Sequence, residues 1–259
     1  MKKEGGFMRK KYFGKVVRLL LLFMIIITTY GYFHLQDTSK KTSLDALKEE
    51  LVQVNNSNSS QEVTITDDEE GEIGLLQQKY NNPDIQGIIS IDNSGFRHPL
   101  VQTVDNEYYL THNYKREEYA LGAIYADYRV NLEAGRKILI FGHSSTKTDT
   151  PFNYLENYYD QNFYENHKYI TLETQNNTYR YEIFSVYVET SDFTYMNMNF
   201  DTQEDWYLHI LKLQKKSLYS IDITLEKEDD ILIMQTCSNH SKYKNNSKKY
   251  LLIVSRRVK

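Results

Sequence analysis

Ile231-Leu-Ile-Met-Gln-Thr-Cys237 opens with four apolar residues and ends on the only cysteine of the 259-residue chain. A matching run, Lys137-Ile-Leu-Ile-Phe-Gly-His143, ends on a histidine in the same way. Short apolar runs rich in β-branched residues and closed by turn residues read as strands. A thiol and an imidazole at two strand ends can form a nucleophile and its proton partner. A lone cysteine is by itself more often a small buried hydrophobe than a catalyst, so the surroundings must decide between the two.

Outward from these two runs the texture is the same. Further candidate strands are residues 87–91, 99–102, 122–126, 168–172, 178–189 and 250–258. A helix-like lead occupies 75–80, a short helix is expected near 152–158, and a longer one over 202–216. In the longer helix Trp206, Leu208, Ile210 and Leu213 partly follow a helical stripe and Thr202 can cap. Regularly spaced strands with few helices predict a mostly β barrel and not an alternating α/β sheet. The 23 tyrosines suit half-buried barrel walls and grooves.

The chain divides unevenly in charge. Seven of its 31 Lys and Arg lie before residue 19, whereas only Glu4 of its 35 acids precedes residue 36. From residue 36 onward 24 basic residues face 34 acidic ones, a net of −10 that argues against a nucleic-acid partner. The basic cluster precedes Val16-Val-Arg-Leu-Leu-Leu-Leu-Phe-Met-Ile-Ile-Ile-Thr-Thr-Tyr-Gly-Tyr-Phe33. At 1.5 Å per residue this stretch spans about 27 Å as a helix, close to the hydrocarbon thickness of a bilayer. No small-x-small cleavage pattern follows it, so it reads as an uncleaved signal anchor.

The predicted organisation is therefore a cytoplasmic basic tail over 1–15, a transmembrane segment over 16–35, a juxtamembrane helix and acidic linker over 36–72, and a catalytic domain over 73–259. The positive-inside rule places the N-terminus in the cytoplasm and the domain outside the cell, on a single-pass anchor. The run Asp67-Asp-Glu-Glu-Gly-Glu72 lacks the alternating ligands of a calcium loop and reads as a solvated tail. An extracellular chain with one cysteine forms no internal disulfide, and its unpaired thiol asks for a purpose.

A cysteine nucleophile acts as thiolate in an electropositive, partly exposed setting. Histidine can be its ion partner and can protonate a leaving amine, and acyl transfer also needs a cation or N–H donor aimed at the oxyanion. Cys237 and His143 can fill the first two roles. Their separation of 94 positions is a weak signal taken alone.

Seven ordered blocks strengthen it. They are Asn82-Pro-Asp-Ile-Gln-Gly-Ile-Ile-Ser-Ile-Asp92, His98-Pro-Leu-Val-Gln102, Asp105-Asn-Glu-Tyr-Tyr-Leu110, Gly122-Ala-Ile-Tyr-Ala-Asp-Tyr-Arg129, Ile138-Leu-Ile-Phe-Gly-His143, Phe152-Asn-Tyr-Leu155 and Ile233-Met-Gln-Thr-Cys237. Over residues 82–258 this pattern resembles the class B sortases, membrane-anchored cysteine transpeptidases of Gram-positive cell walls. The resemblance implies an eight-stranded β-barrel with added helices. It implies that Cys237 cleaves a sorting signal after threonine and that a peptidoglycan or pilin amine resolves the thioester. The implied partners are a sorting-signal-bearing surface protein and the amine donor; no cofactor is implied. A pilin-polymerising sortase and a non-catalytic sorting-signal binding protein with a decayed site are the alternatives.

One departure stands out. Sortases carry an arginine shortly after the cysteine, at the start of the last strand, yet residues 238–250 contain none. An ungapped alignment puts Tyr250 there and a one-residue shift puts Lys249 there, while Arg256 and Arg257 fall about six residues late. Lys249 can supply charge without the planar fork, and is the first candidate for the oxyanion role. The Cys-x-x-His pair of Cys237 and His240 offers only two ligands, too few for a metal site. His98, His112, His167 and His209 show no chemical partner in the sequence. Asp127 is expected at a turn or barrel end, and Ser144 and Ser145 beside His143 are open to either a substrate or a loop role.

Overall fold

The computed structural model describes residues 71–258. The basic tail, the expected membrane anchor and the linker up to residue 70 lie outside the described residues. Among the described residues no helix is long and apolar enough to cross a membrane.

Helix α1 (Glu72–Tyr80) leads into eight strands: β1 (Ile85–Ile91), β2 (Arg97–Val101), β3 (Tyr125–Ala126), β4 (Lys137–Phe141), β5 (Tyr169–Thr174), β6 (Thr178–Glu189), β7 (Ile231–Cys237) and β8 (Tyr250–Arg257). They close into a barrel in the order β1-β2-β3-β4-β7-β8-β6-β5. The eight-stranded barrel with few helices agrees with the sequence expectation, and β4 and β6 match their expected bounds. The third strand is shorter than the expected 122–126. Gly122 takes a left-handed φ of 60° in a turn closed by its N–H on the Tyr119 carbonyl, and pairing with β4 begins only at Tyr125.

Strands β4 and β7 are parallel neighbours, with Lys137 beside Ile231 and Phe141 beside Gln235. All five residues of β4 and the first four of β7 are buried, since the core covers one face of each strand and the surrounding helices and loops cover the other. Strand β8 runs antiparallel to β7 and carries its exit, pairing Cys237 with Tyr250.

Helix α2 (Gln161–Asn166) follows a 3₁₀ helix, Pro151–Tyr159, where the sequence suggested an ordinary short helix. Helix α3 (Gln203–Lys215) is capped by Thr202, whose side chain accepts from the Asp205 N–H. Its buried stripe is Trp206, His209, Ile210 and Leu213, while Leu208 is 56% exposed. At 100° per residue, positions 206, 209, 210 and 213 share a face and 208 points away from it. Several tyrosines expected at half-buried positions are fully enclosed, among them Tyr109, Tyr158 and Tyr195. Each places its hydroxyl on a partner: Asp84, the His167 carbonyl and Gln235 respectively.

Candidate active site

The parallel pairing of β4 with β7 puts the thiol and the imidazole at the same end of the barrel. Beyond the last β4 pair, Phe141 with Gln235, the Gly142 N–H donates to the Gln235 carbonyl at 3.3 Å. The Thr236 hydroxyl donates to the Gly142 carbonyl at 2.8 Å. The two chains thus leave the barrel side by side. His143 stands two positions beyond the Phe141–Gln235 pair on one chain and Cys237 two positions beyond it on the other. Both line one cleft of about 480 Å³, Cys237 exposed and His143 half-buried.

The His143 Nε2 lies 3.2 Å from the Leu110 carbonyl oxygen. A carbonyl only accepts, so Nε2 carries the proton and Nδ1 is left to exchange one. The carbonyl of His143 in turn accepts from the Thr150 hydroxyl at 2.6 Å. Around Cys237, burial pushes the thiol pKa up and the charge of Lys249 pulls it back, with burial the stronger. Ionising the sulfur is thus disfavoured by its surroundings and calls for a proton acceptor or a nearby cation.

Three groups stand at and just before the start of β8: Lys248 and Tyr250 line the cleft, whereas Lys249 between them does not. The Lys249 carbonyl accepts from the Ser238 N–H, and only its charge reaches the sulfur. Lys248 Nζ lies 5.6 Å from the Phe193 ring, and Tyr250 meets the same ring edge-on at 5.9 Å. Phe193 holds a left-handed φ of 46°, an uncommon conformation for an aromatic residue, and is itself a cleft wall.

Arg256 and Arg257 are not displaced substitutes for the missing arginine. Arg256 lies opposite Ile231, at the other end of β7 from Cys237, about 20 Å away at 3.3 Å per residue. There it bonds Glu182 and the Thr224 carbonyl, while Arg257 pairs with Asp230.

The remaining histidines serve the fold. His240 caps a turn by accepting from the Lys242 N–H and packs on Tyr159. His112 and His167 stack on Tyr108 and Phe163. His98 packs edge-on against Phe96, and His209 accepts from buried Lys137 at 2.9 Å. Asp127 is buried just past β3's end, bonded by the Arg129 fork and by Asn106, itself a cleft residue. Ser144 and Ser145 both bond Asn153. Sequence reasoning overlooked Lys248, Asn153, Glu156, Tyr159 and Asn239. Only Asn153 fell in a recognised block, and nothing in that block reveals what it bonds.

The sortase-domain family profile matches residues 89–257, from within β1 to the end of β8. The chain belongs to the sortase family. Its relatives are class B sortases. Sortase B of Listeria monocytogenes is 32% identical over 163 residues, 62% of this chain and 66% of that protein, just under two thirds of its length. The crystal structure of Clostridium perfringens sortase B superposes with a TM-score of 0.63 at 29% identity, covering 71% of this chain and 98% of that one. A Staphylococcus aureus sortase B–substrate complex superposes at 0.68 over 87% of this chain and 99% of that one; at 22% identity it speaks for the fold alone. Sortases are cysteine transpeptidases, and this sortase is an enzyme of that class.

Proposed function

We propose that this sortase cleaves a C-terminal sorting signal after threonine and joins the upstream protein to a cell-wall amine, with Cys237 as nucleophile and His143 as proton carrier. The observation that carries the reading is that β4 and β7, parallel neighbours, lead to His143 and Cys237 on the wall of one cleft. The Cys237 thiol passes its proton to His143 Nδ1 as the sulfur bonds the scissile carbonyl carbon, the C–N bond breaks, and the leaving amine takes that proton from the His143 imidazolium. An incoming amine then attacks the thioester carbon and gives a proton to His143, the C–S bond breaks, and the released sulfur takes that proton back. Charge on the carbonyl oxygen falls in a cleft whose donors include the Tyr250 hydroxyl and the Lys248 ammonium, with Lys249 contributing field from behind. The apolar stretch 16–33 behind a basic cluster supports an anchor that holds the domain on the outer face of the membrane.

Incubating the full-length protein in detergent with a fluorogenic sorting-signal peptide tests this. Cleavage is expected, and Cys237→Ala and His143→Ala should abolish it. Tyr250→Phe should lower kcat by about ten- to a hundredfold if its hydroxyl meets the oxyanion. The absence of arginine from residues 238–250 favours a second reading, a non-catalytic sorting-signal binder. Peptide binding with neither cleavage nor thioester would select it.

A further inference from the structure

The 3₁₀ helix Pro151–Tyr159 runs for nine residues. Runs beyond three or four residues are uncommon, because side chains three apart eclipse and the hydrogen bonds are poorer. Winding at three residues per turn divides this helix lengthwise into three faces. Phe152, Leu155 and Tyr158 are fully buried in the core. Pro151 and Asn157 are exposed, with half-buried Tyr154 between them. The third face carries Asn153, Glu156 and Tyr159, all half-buried, and each bonds a loop that leaves the barrel beside Cys237 or His143.

Asn153 Oδ1 accepts from the Ser145 N–H at 2.8 Å and the Ser144 hydroxyl at 3.0 Å, and its Nδ2 donates to the Ser145 carbonyl at 3.0 Å. These residues directly follow His143. Glu156 Oε1 accepts from the Asn239 N–H at 2.8 Å, and the Tyr159 hydroxyl lies 2.6 Å from Ser238 Oγ. Those two directly follow Cys237. Asn239 Nδ2 closes the circuit by donating to Ser144 Oγ at 2.7 Å. In an α-helix the same three positions would turn through about 120° end to end and could not serve one row of partners.

We infer that this face is a positioning bracket, in which Asn153, Glu156 and Tyr159 hold the loop after His143 and the loop after Cys237 at the separation their proton exchange requires. The 3₁₀ winding puts the three in line. None of them lines the Cys237 cleft, so they act through the loops and not on the substrate. The bracket rests on the reading of Cys237 and His143 as the reacting pair.

The test compares Asn153→Ala, Glu156→Ala, Glu156→Gln and Tyr159→Phe in the full-length protein, with Asn157→Ala as the solvent-face control. Three quantities are measured: kcat and KM for the peptide, the pH profile of Cys237 alkylation by iodoacetamide, and the thermal midpoint. Asn153→Ala, Glu156→Ala and Tyr159→Phe should lower kcat about ten- to a hundredfold with KM changed less than about twofold, and should displace the alkylation profile. Glu156→Gln keeps an acceptor for the Asn239 N–H and should restore both readouts, while Asn157→Ala should match the wild type. Tyr159→Phe removes one hydroxyl and tests the bracket without opening the core.

A melting loss with kcat held within about twofold would reduce the bracket to a structural role. An effect on KM in place of kcat, or no restoration by Glu156→Gln, would overturn it. If the wild type cleaves no peptide, the transpeptidase reading falls by itself. The alkylation profile then decides the bracket: a displacement by Glu156→Ala that Glu156→Gln reverses upholds it, and any other pattern removes it.

Discussion

Around the Cys237 sulfur, burial favours the thiol and the Lys249 ammonium favours the thiolate. Lys249 acts through charge alone, since its side chain is not part of the cleft wall. Its removal should therefore show in the titration of Cys237. In Lys249→Met the pH at which iodoacetamide alkylation reaches half its plateau should rise, because the remaining influence, burial, disfavours the anion. Lys249→Arg keeps the charge and should keep the profile. An unmoved profile in Lys249→Met would assign the local field to some other cation. Tyr250 and Lys248 line the cleft and offer single donors without the planar fork of a guanidinium.

Between elements, the tightest joint of the site is the exit of β4. A Cβ added at Gly142 would meet the Phe152 ring at 2.6 Å, so the 3₁₀ helix packs directly on the backbone that carries His143. Gly142→Ala must push that ring or the strand end aside, at a cost of about 1–3 kcal/mol by the usual penalty for overpacking. Thermal unfolding should register the loss, and kcat should fall with it because the displaced backbone leads straight to His143. An unchanged melting midpoint would mean that the joint is looser than the packing indicates. The existence of this helix was legible in the sequence, but its winding was not. Phe152, Leu155 and Tyr158 recur every three residues, a spacing that an α-helix also tolerates over so short a run. The row of partners opposite Asn153, Glu156 and Tyr159 matches three residues per turn, and the partners of Glu156 and Tyr159 lie some 80 positions away.

Across the whole molecule, buried titratable groups tie stability to pH. Lys137 donates to the Asn197 carbonyl and to His209, beneath the Phe200 ring. Burial, with the charge of Arg129, lowers its pKa to about 7. The unfolded chain binds that proton up to about pH 10.5, so the folded state gains as pH rises through this window, by about 2–3 kcal/mol between pH 7 and 9. Burial likewise lowers His98 to about 4 and, with the Lys137 charge, His209 to about 3. Their contribution is present above pH 6.5 and is lost as pH falls toward those values. Thermal midpoints at pH 7 and pH 9 should differ in the wild type and converge in Lys137→Met; a wild-type midpoint flat over that window would refute the account. The barrel class, the strands and the two residue types at the rim were legible in the sequence, because hydrophobic periodicity and turn residues are local signals and Ile231–Cys237 and Lys137–Phe141 carry them in full. The folded arrangement was needed to put Arg256 and Arg257 at the far end of β8, Lys248 and Tyr250 on the cleft wall with Lys249 outside it, and one face of a 3₁₀ helix across both loops. Those facts depend on strand register and on contacts between residues some 80 to 95 positions apart, and register is set by packing the whole barrel, which no short window of sequence contains.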